Sequence, residues 1–147
     1  MSDDCIFCAI VAGEIPARTV HETDDVLAFL DANPLARGHT LVIPKTHAAH
    51  VGDLAAADAR ALFDVVTELT PQVQSAVDAD AATVGINDGE AAGQEVPHVH
   101  VHLIPRFEGD GGAPIHAVGG DQPDLSDDDL DTIANAISDS FSDSVGS

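Results

Sequence analysis

The stretch Pro97-His98-Val99-His100-Val101-His102-Leu103-Ile104-Pro105 decides the fold. Histidine recurs at every second residue, with valine between. Period two belongs to a strand; a helix would turn neighbours two apart about 200° from each other. On a strand the three imidazoles share one face, roughly 6 to 7 Å apart, while Val99, Val101 and Leu103 face a core. Pro97 and Pro105 are expected to frame the run, because proline is poor inside a central ladder. Any single histidine here reads most simply as a packed or solvated ring. Three on one face of one strand argue for a site.

The composition bounds what surrounds that strand. At 147 residues the chain suits a single domain with a real core, read as residues 1–125, followed by an acidic C-terminal helix or tail, 126–147. Twenty-six acids stand against Arg18, Arg37, Arg60, Arg106 and Lys45, a net charge of −21. Such a surface repels nucleic acid and anionic membranes. No apolar run approaches the roughly 18 residues of a membrane span, and no leader is evident, so a cytoplasmic protein is expected. An apolar pattern persists beneath the acids. The charge therefore reads as adaptation to a cytosol of molar salt, where the Debye length falls to about 3 Å. An acidic mesophilic protein is the plainer alternative. Folding and activity are expected to fail at low salt.

In chain order, residues 5–12 read as a short helix with Asp4 as N-cap and Gly13 as its stop. Thr19–Thr23 and Val26–Asp31 read as a hairpin about Asp24-Asp25. His39–Pro44 is a third strand, and Asp53–Asp78 a long amphipathic helix in which Pro71 predicts a kink or break near Thr70. Ala82–Asn87 is a fourth strand, leading through the small-residue loop Asp88–Gln94 to the histidines. Ser126 caps a helix over Asp127–Ser138 with Leu130, Ile133, Ala134 and Ile137 as its apolar face; residues 142–147 are expected to fray.

Imidazole near neutral pH is nucleophile, acid, base or metal ligand. His100 has a neighbour on each side to fix its orientation and tautomer. The loop Asn87–Gln94 offers backbone N–H groups to phosphate oxygens. Cys5 and Cys8 are the two cysteines, and a lone CxxC fits a redox pair, half a metal site or two small hydrophobes. Zinc needs four ligands, for which His47, His50 and His98 are the spare candidates.

The elements Cys5-Ile6-Phe7-Cys8, Phe29-Leu30-Asp31, the run Gly38 to Lys45, Asn87-Asp88-Gly89, Gly93-Gln94 and His98-Val99-His100-Val101-His102 stand in the order of the histidine triad (HIT) family. The chain most resembles its small nucleotide-binding hydrolases, over roughly residues 4–107. The resemblance implies an α+β fold with a five-stranded antiparallel sheet, one long helix, a short N-terminal helix, and a homodimer with a continuous sheet. It implies attack on the α-phosphorus of a nucleoside phosphoramidate or dinucleotide-like substrate. His100 matches the nucleophile, His102 the residue contacting phosphate near the leaving group, and His39 the accessory histidine. Asp31 matches the acid that holds the ribose hydroxyls. Ile6, Phe7, Ile10, Ile15 and Phe29 match the apolar walls around a purine base; Asn87 and Gly93 match phosphate contacts. Related transferases with CxxC bind zinc, which carries over as a structural site on Cys5, Cys8, His47 and His98, with His50 the alternative third ligand. Glu95 departs from the family's Ser or Thr and is not carried over, and Pro97 replaces an aromatic. The rival functions are a nucleotidyltransferase or phosphorylase using the same intermediate, and a nucleotide-binding regulatory protein.

Overall fold

The computed structural model describes residues 4–145. Five strands form one antiparallel sheet in the order β1-β2-β3-β5-β4. They are β1 Thr19–Glu22, β2 Val26–Leu30, β3 Thr40–Pro44, β4 Ala81–Gly85 and β5 Val101–Arg106. Helix α1, Ile6–Val11, and helix α2, Ala56–Ala76, complete this unit, which spans residues 1–114.

The sheet is apolar on both faces at its centre. In β2, Val26 and Ala28 join Val42, Val99, Val101 and Leu103 against Leu62, Val65, Val66, Leu69 and Val73 of α2. The alternate residues Leu27 and Phe29, with Leu41 and Ile43, meet Cys5, Phe7 and Cys8 at α1. The period-two reading of the histidine run holds in its core half: Val99, Val101 and Leu103 are buried on the α2 side.

The run differs from expectation at both ends. Ladder pairing begins only at Val101, so His98 and His100 sit on a lead-in segment that bends at Val96–His98 rather than in the sheet. Pro105 lies within β5 opposite Ala82, not at its boundary. The ladder tolerates it because β3 pairs with β5 only at Val101, His102 and Leu103, leaving that side open at Pro105.

Other boundaries shift for local reasons. Cys5, not Asp4, caps α1, its sulfur accepting the Cys8 N–H. Gly13 does stop that helix, at φ +80°. The long helix begins at Ala56, because Val51–Asp53 form a single 3-10 turn and Leu54 is extended. It runs unbroken through Pro71. Pro71 lies on the exposed side, where water can serve the carbonyl it leaves unpaired, and Thr70 Oγ1 donates to Val66 O at 2.7 Å. Strand β4 ends two residues early, at Gly85.

Residues 115–147 form a second compact unit. Helix α3, Asp127–Val145, begins with a reciprocal cap: Ser126 Oγ accepts the Asp129 N–H and Asp129 Oδ2 accepts the Ser126 N–H, both at 3.1 Å. It outruns the expected end at Ser138, because the apolar spacing continues from Ile137 to Phe141. Residues 142–145 lie within this helix, and residues 146 and 147 lie outside the described residues. No described helix is long and apolar enough to cross a membrane.

Candidate functional site

The site lies on the α1 face of the sheet. Phe7 of α1 meets His98 and His100 edge-on, at centroid distances of 5.8 and 5.0 Å. His100 and His102 lie 5.0 Å apart, closer than strand spacing alone gives, because the rings tilt 60° toward each other. His98 and His100 are buried; His102 is half-buried.

Backbone partners assign the protons on three rings, and one of these assigns a fourth. A carbonyl only accepts, and an N–H only donates. His100 Nδ1 lies 2.8 Å from His98 O, so Nδ1 carries the hydrogen and Nε2 holds a bare lone pair. His98 Nε2 lies 2.8 Å from Pro44 O, so Nε2 carries the hydrogen and Nδ1 is bare. The Leu35 N–H donates to His39 Nδ1 at 3.0 Å, which places the His39 hydrogen on Nε2. That Nε2–H points at His102 Nδ1, 3.0 Å away, leaving the His102 hydrogen on Nε2. The row thus presents a lone pair at His100 and a donor at His102.

Burial favours the neutral forms of His39, His102 and His98. It lowers the His39 pKa, partly opposed by Asp31, whose Oδ2 lies 3.6 Å from His39 Nε2. His102 is lowered to about 4, chiefly by burial and further by His100 and His39. His98 is lowered by burial, opposed by its bond to Pro44.

The lead-in to the sheet is held by loops. Gly38, at φ +84°, delivers the chain to His39, and a Cβ there would lie 3.0 Å from the Val77 side chain, so glycine is required. Gln94 latches the 88–94 turn, accepting from Gly89 N and donating to Ala49 O and Val96 O. The Val99 N–H donates to Ala48 O.

The structure brings most predicted residues to this face. Phe7 and Phe29 pack together, with Ile10 against them, while Ile6 and Ile15 are exposed. Asp31 follows β2 directly, the strand ending one residue before the sequence suggests, and one of its oxygens accepts the Asn33 N–H. Asn87 lies two residues beyond Gly85, the partner of His102, and its side chain is beside Gly93. His50 turns instead toward Asp53, at 3.4 Å. The carbonyls of Pro44 and His98 and the N–H of Leu35 were invisible in the sequence, being backbone groups available at any residue.

Cys5, Cys8, His47 and His98 form a cluster whose four ligand atoms lie within 4.8 Å of one another. Cys5 Sγ is 3.4 Å and Cys8 Sγ 3.6 Å from His98 Nδ1, and Cys8 Sγ is 3.3 Å from His47 Nδ1. A tetrahedral zinc with ordinary bond lengths sets sulfur-to-nitrogen separations of about 3.6 Å. The donor set therefore fits zinc, and the Pro44 carbonyl orients the bare His98 nitrogen toward it.

A sheet between two helices, with a histidine row on the short-helix face, defines the architecture of the HIT proteins, and residues 12–109 match the HIT domain. The chain belongs to that family. The crystal structure of a histidine triad nucleotide-binding protein from Candida albicans is 31% identical with a TM-score of 0.82, over 95% of this chain and 99% of that one. A Zn-bound histidine triad family protein from Mycobacterium smegmatis is 40% identical with a TM-score of 0.71, over 75% and 80%. The adenylylsulfatase HINT3 of Arabidopsis thaliana is 37% identical over 110 residues, 75% of this chain and 56% of that protein.

Proposed function

We propose that this protein hydrolyses nucleoside phosphoramidates or related nucleotide conjugates through a nucleotidyl-histidine intermediate. The observation that carries this reading is the bond from His100 Nδ1–H to His98 O, which leaves Nε2 as a free nucleophile. The lone pair of Nε2 attacks the α-phosphorus. The bond from phosphorus to the leaving atom breaks, and the leaving atom keeps the electron pair. A departing amine nitrogen takes its proton from solvent. His102 Nε2–H donates a hydrogen bond at the leaving-group end, oriented by His39. Water then attacks phosphorus, the N–P bond returns its pair to Nε2, and one water proton passes to solvent. The product is a nucleoside monophosphate.

Asp31 holds the ribose hydroxyls, Ile6, Phe7, Ile10 and Phe29 wall a purine base, and Asn87 and Gly93 meet phosphate. Names borne by relatives support the reading: one is a nucleotide-binding protein and another an adenylylsulfatase. Zinc on Cys5, Cys8, His47 and His98 would be structural, supplying a tie between α1 and the histidine run rather than a reaction step. The protein works as a homodimer whose sheet continues through β4, an edge strand of small side chains paired on one side by β5.

The test is mass spectrometry after brief exposure to adenosine 5′-phosphoramidate at high salt. A nucleotidyl adduct on the chain, absent in His100→Ala, is expected. Undiminished turnover in His100→Ala would refute the proposal.

A further inference from the structure

A cavity of about 390 Å³ opens on the same face of the sheet, beyond the histidines. Strand β5 buries Val101, Leu103 and Pro105 and turns His102, Ile104 and Arg106 the other way. Ile104, the next residue after His102 on that face, lines the cavity with Phe107, Leu35 and Arg37. The 31–38 loop joins the two places: it starts at Asp31, its Leu35 N–H holds His39, and Arg37 reaches the cavity.

The charges here are unequal. Arg106 is spent, its Nε and Nη2 on Asp110 at 2.8 and 3.0 Å and its Nη1 on Thr83 Oγ1 and Ala113 O. Asp110 is neutralised in return and also takes the N–H groups of Phe107 and Gly112, so its carboxyl stays well below the usual carboxylate range. That brace makes a fixed wall. Lys45 pairs with Glu22 at 2.7 Å. Arg37 is exposed and, among the described residues, has no hydrogen-bonded or ion-paired partner. In a chain of 26 acids and five cations, an unpaired guanidinium beside an apolar floor is a selective feature.

We propose that this cavity is the leaving-group subsite, and that Arg37 selects leaving groups that join an apolar body to a negative charge. The inference rests on the reading of His100 as nucleophile. In-line displacement sends the leaving group away from the attacking nitrogen. The order His100, His102, Ile104 along the chain runs from the nucleophile toward the residues that line the cavity. Ile104 and Phe107 take the apolar body, and the Arg37 guanidinium meets a carboxylate or phosphate on it.

The experiment compares two adenosine 5′-phosphoramidates, of 4-(aminomethyl)benzoate and of its uncharged carboxamide. The bodies match and only the charge differs. Wild type should prefer the carboxylate in kcat/KM by about three- to fivefold, the upper range for an exposed ion pair. Arg37→Lys should keep most of that ratio, Arg37→Ala should bring it to about one, and Arg37→Glu should invert it. A wild-type ratio of one, or a ratio unchanged in Arg37→Ala, overturns the proposal. Adduct formation separates the two readings. If neither compound labels His100, the nucleophile assignment has failed; if both label it equally fast, charge selection alone has failed.

Discussion

Removing His39 tests the proton assignments most searchingly. In the wild type its Nε2–H donates to His102 Nδ1 at 3.0 Å, and burial holds His102 down to about 4. At pH 5.5 a group with that pKa is about 3% protonated, against about 90% for an ordinary histidine. His39→Ala deletes the donor and lets both His102 tautomers form. A neutral hydrogen bond contributes roughly 0.5–1.5 kcal/mol, so kcat/KM should fall roughly 2- to 13-fold. The His102 pKa should rise but stay below 6.5, because burial, not His39, is its main cause. Nitrogen-15 shifts of the imidazoles, followed against pH, report both quantities. A wild-type His102 protonated on Nδ1, or half-titrated near pH 6.5, would refute the reasoning.

Acidification should weaken the fold over a defined window. His102 stays neutral to about pH 4 while its unfolded counterpart protonates near 6.5. The unfolded chain then binds more protons, so stability falls as pH drops from about 6.5 toward 4; urea midpoints against pH check this. Cys8→Ser should reduce bound zinc from about one per chain to near zero by plasma mass spectrometry and lower the melting temperature by several degrees. Leu62→Ala, at a fully buried α2 position, should cost about 2–5 kcal/mol in denaturant titrations. Lowering salt from molar to about 0.1 M should unfold the chain by circular dichroism, because 21 net negative charges then repel over a Debye length of about 10 Å.

The sheet was legible chiefly because β5 alternates cleanly between buried and half-buried residues. Val99, Val101 and Leu103 announced the core face, and the run Thr40–Pro44, buried at every position, announced a central strand. Helix ends were less legible. Cys5 displaced Asp4 as a cap because its sulfur already faces the helix N–H groups, and Pro71 passed on an exposed face. The histidine spacing located the site, but the choice of proton on each ring depends on backbone groups brought from β3 and the 31–38 loop. Arg37 looked like any surface cation until the fold set it, unpaired among the described residues, in the lining of the cavity.

The central claim is that the His98 carbonyl, by taking the Nδ1 hydrogen of His100, leaves Nε2 as the attacking atom. Trapping the nucleotidyl-protein and recording its phosphorus–nitrogen couplings by NMR measures which atom carries phosphorus. A single bond from phosphorus to Nε2 of His100 is expected. Phosphorus on Nδ1, or on any other residue, would contradict it.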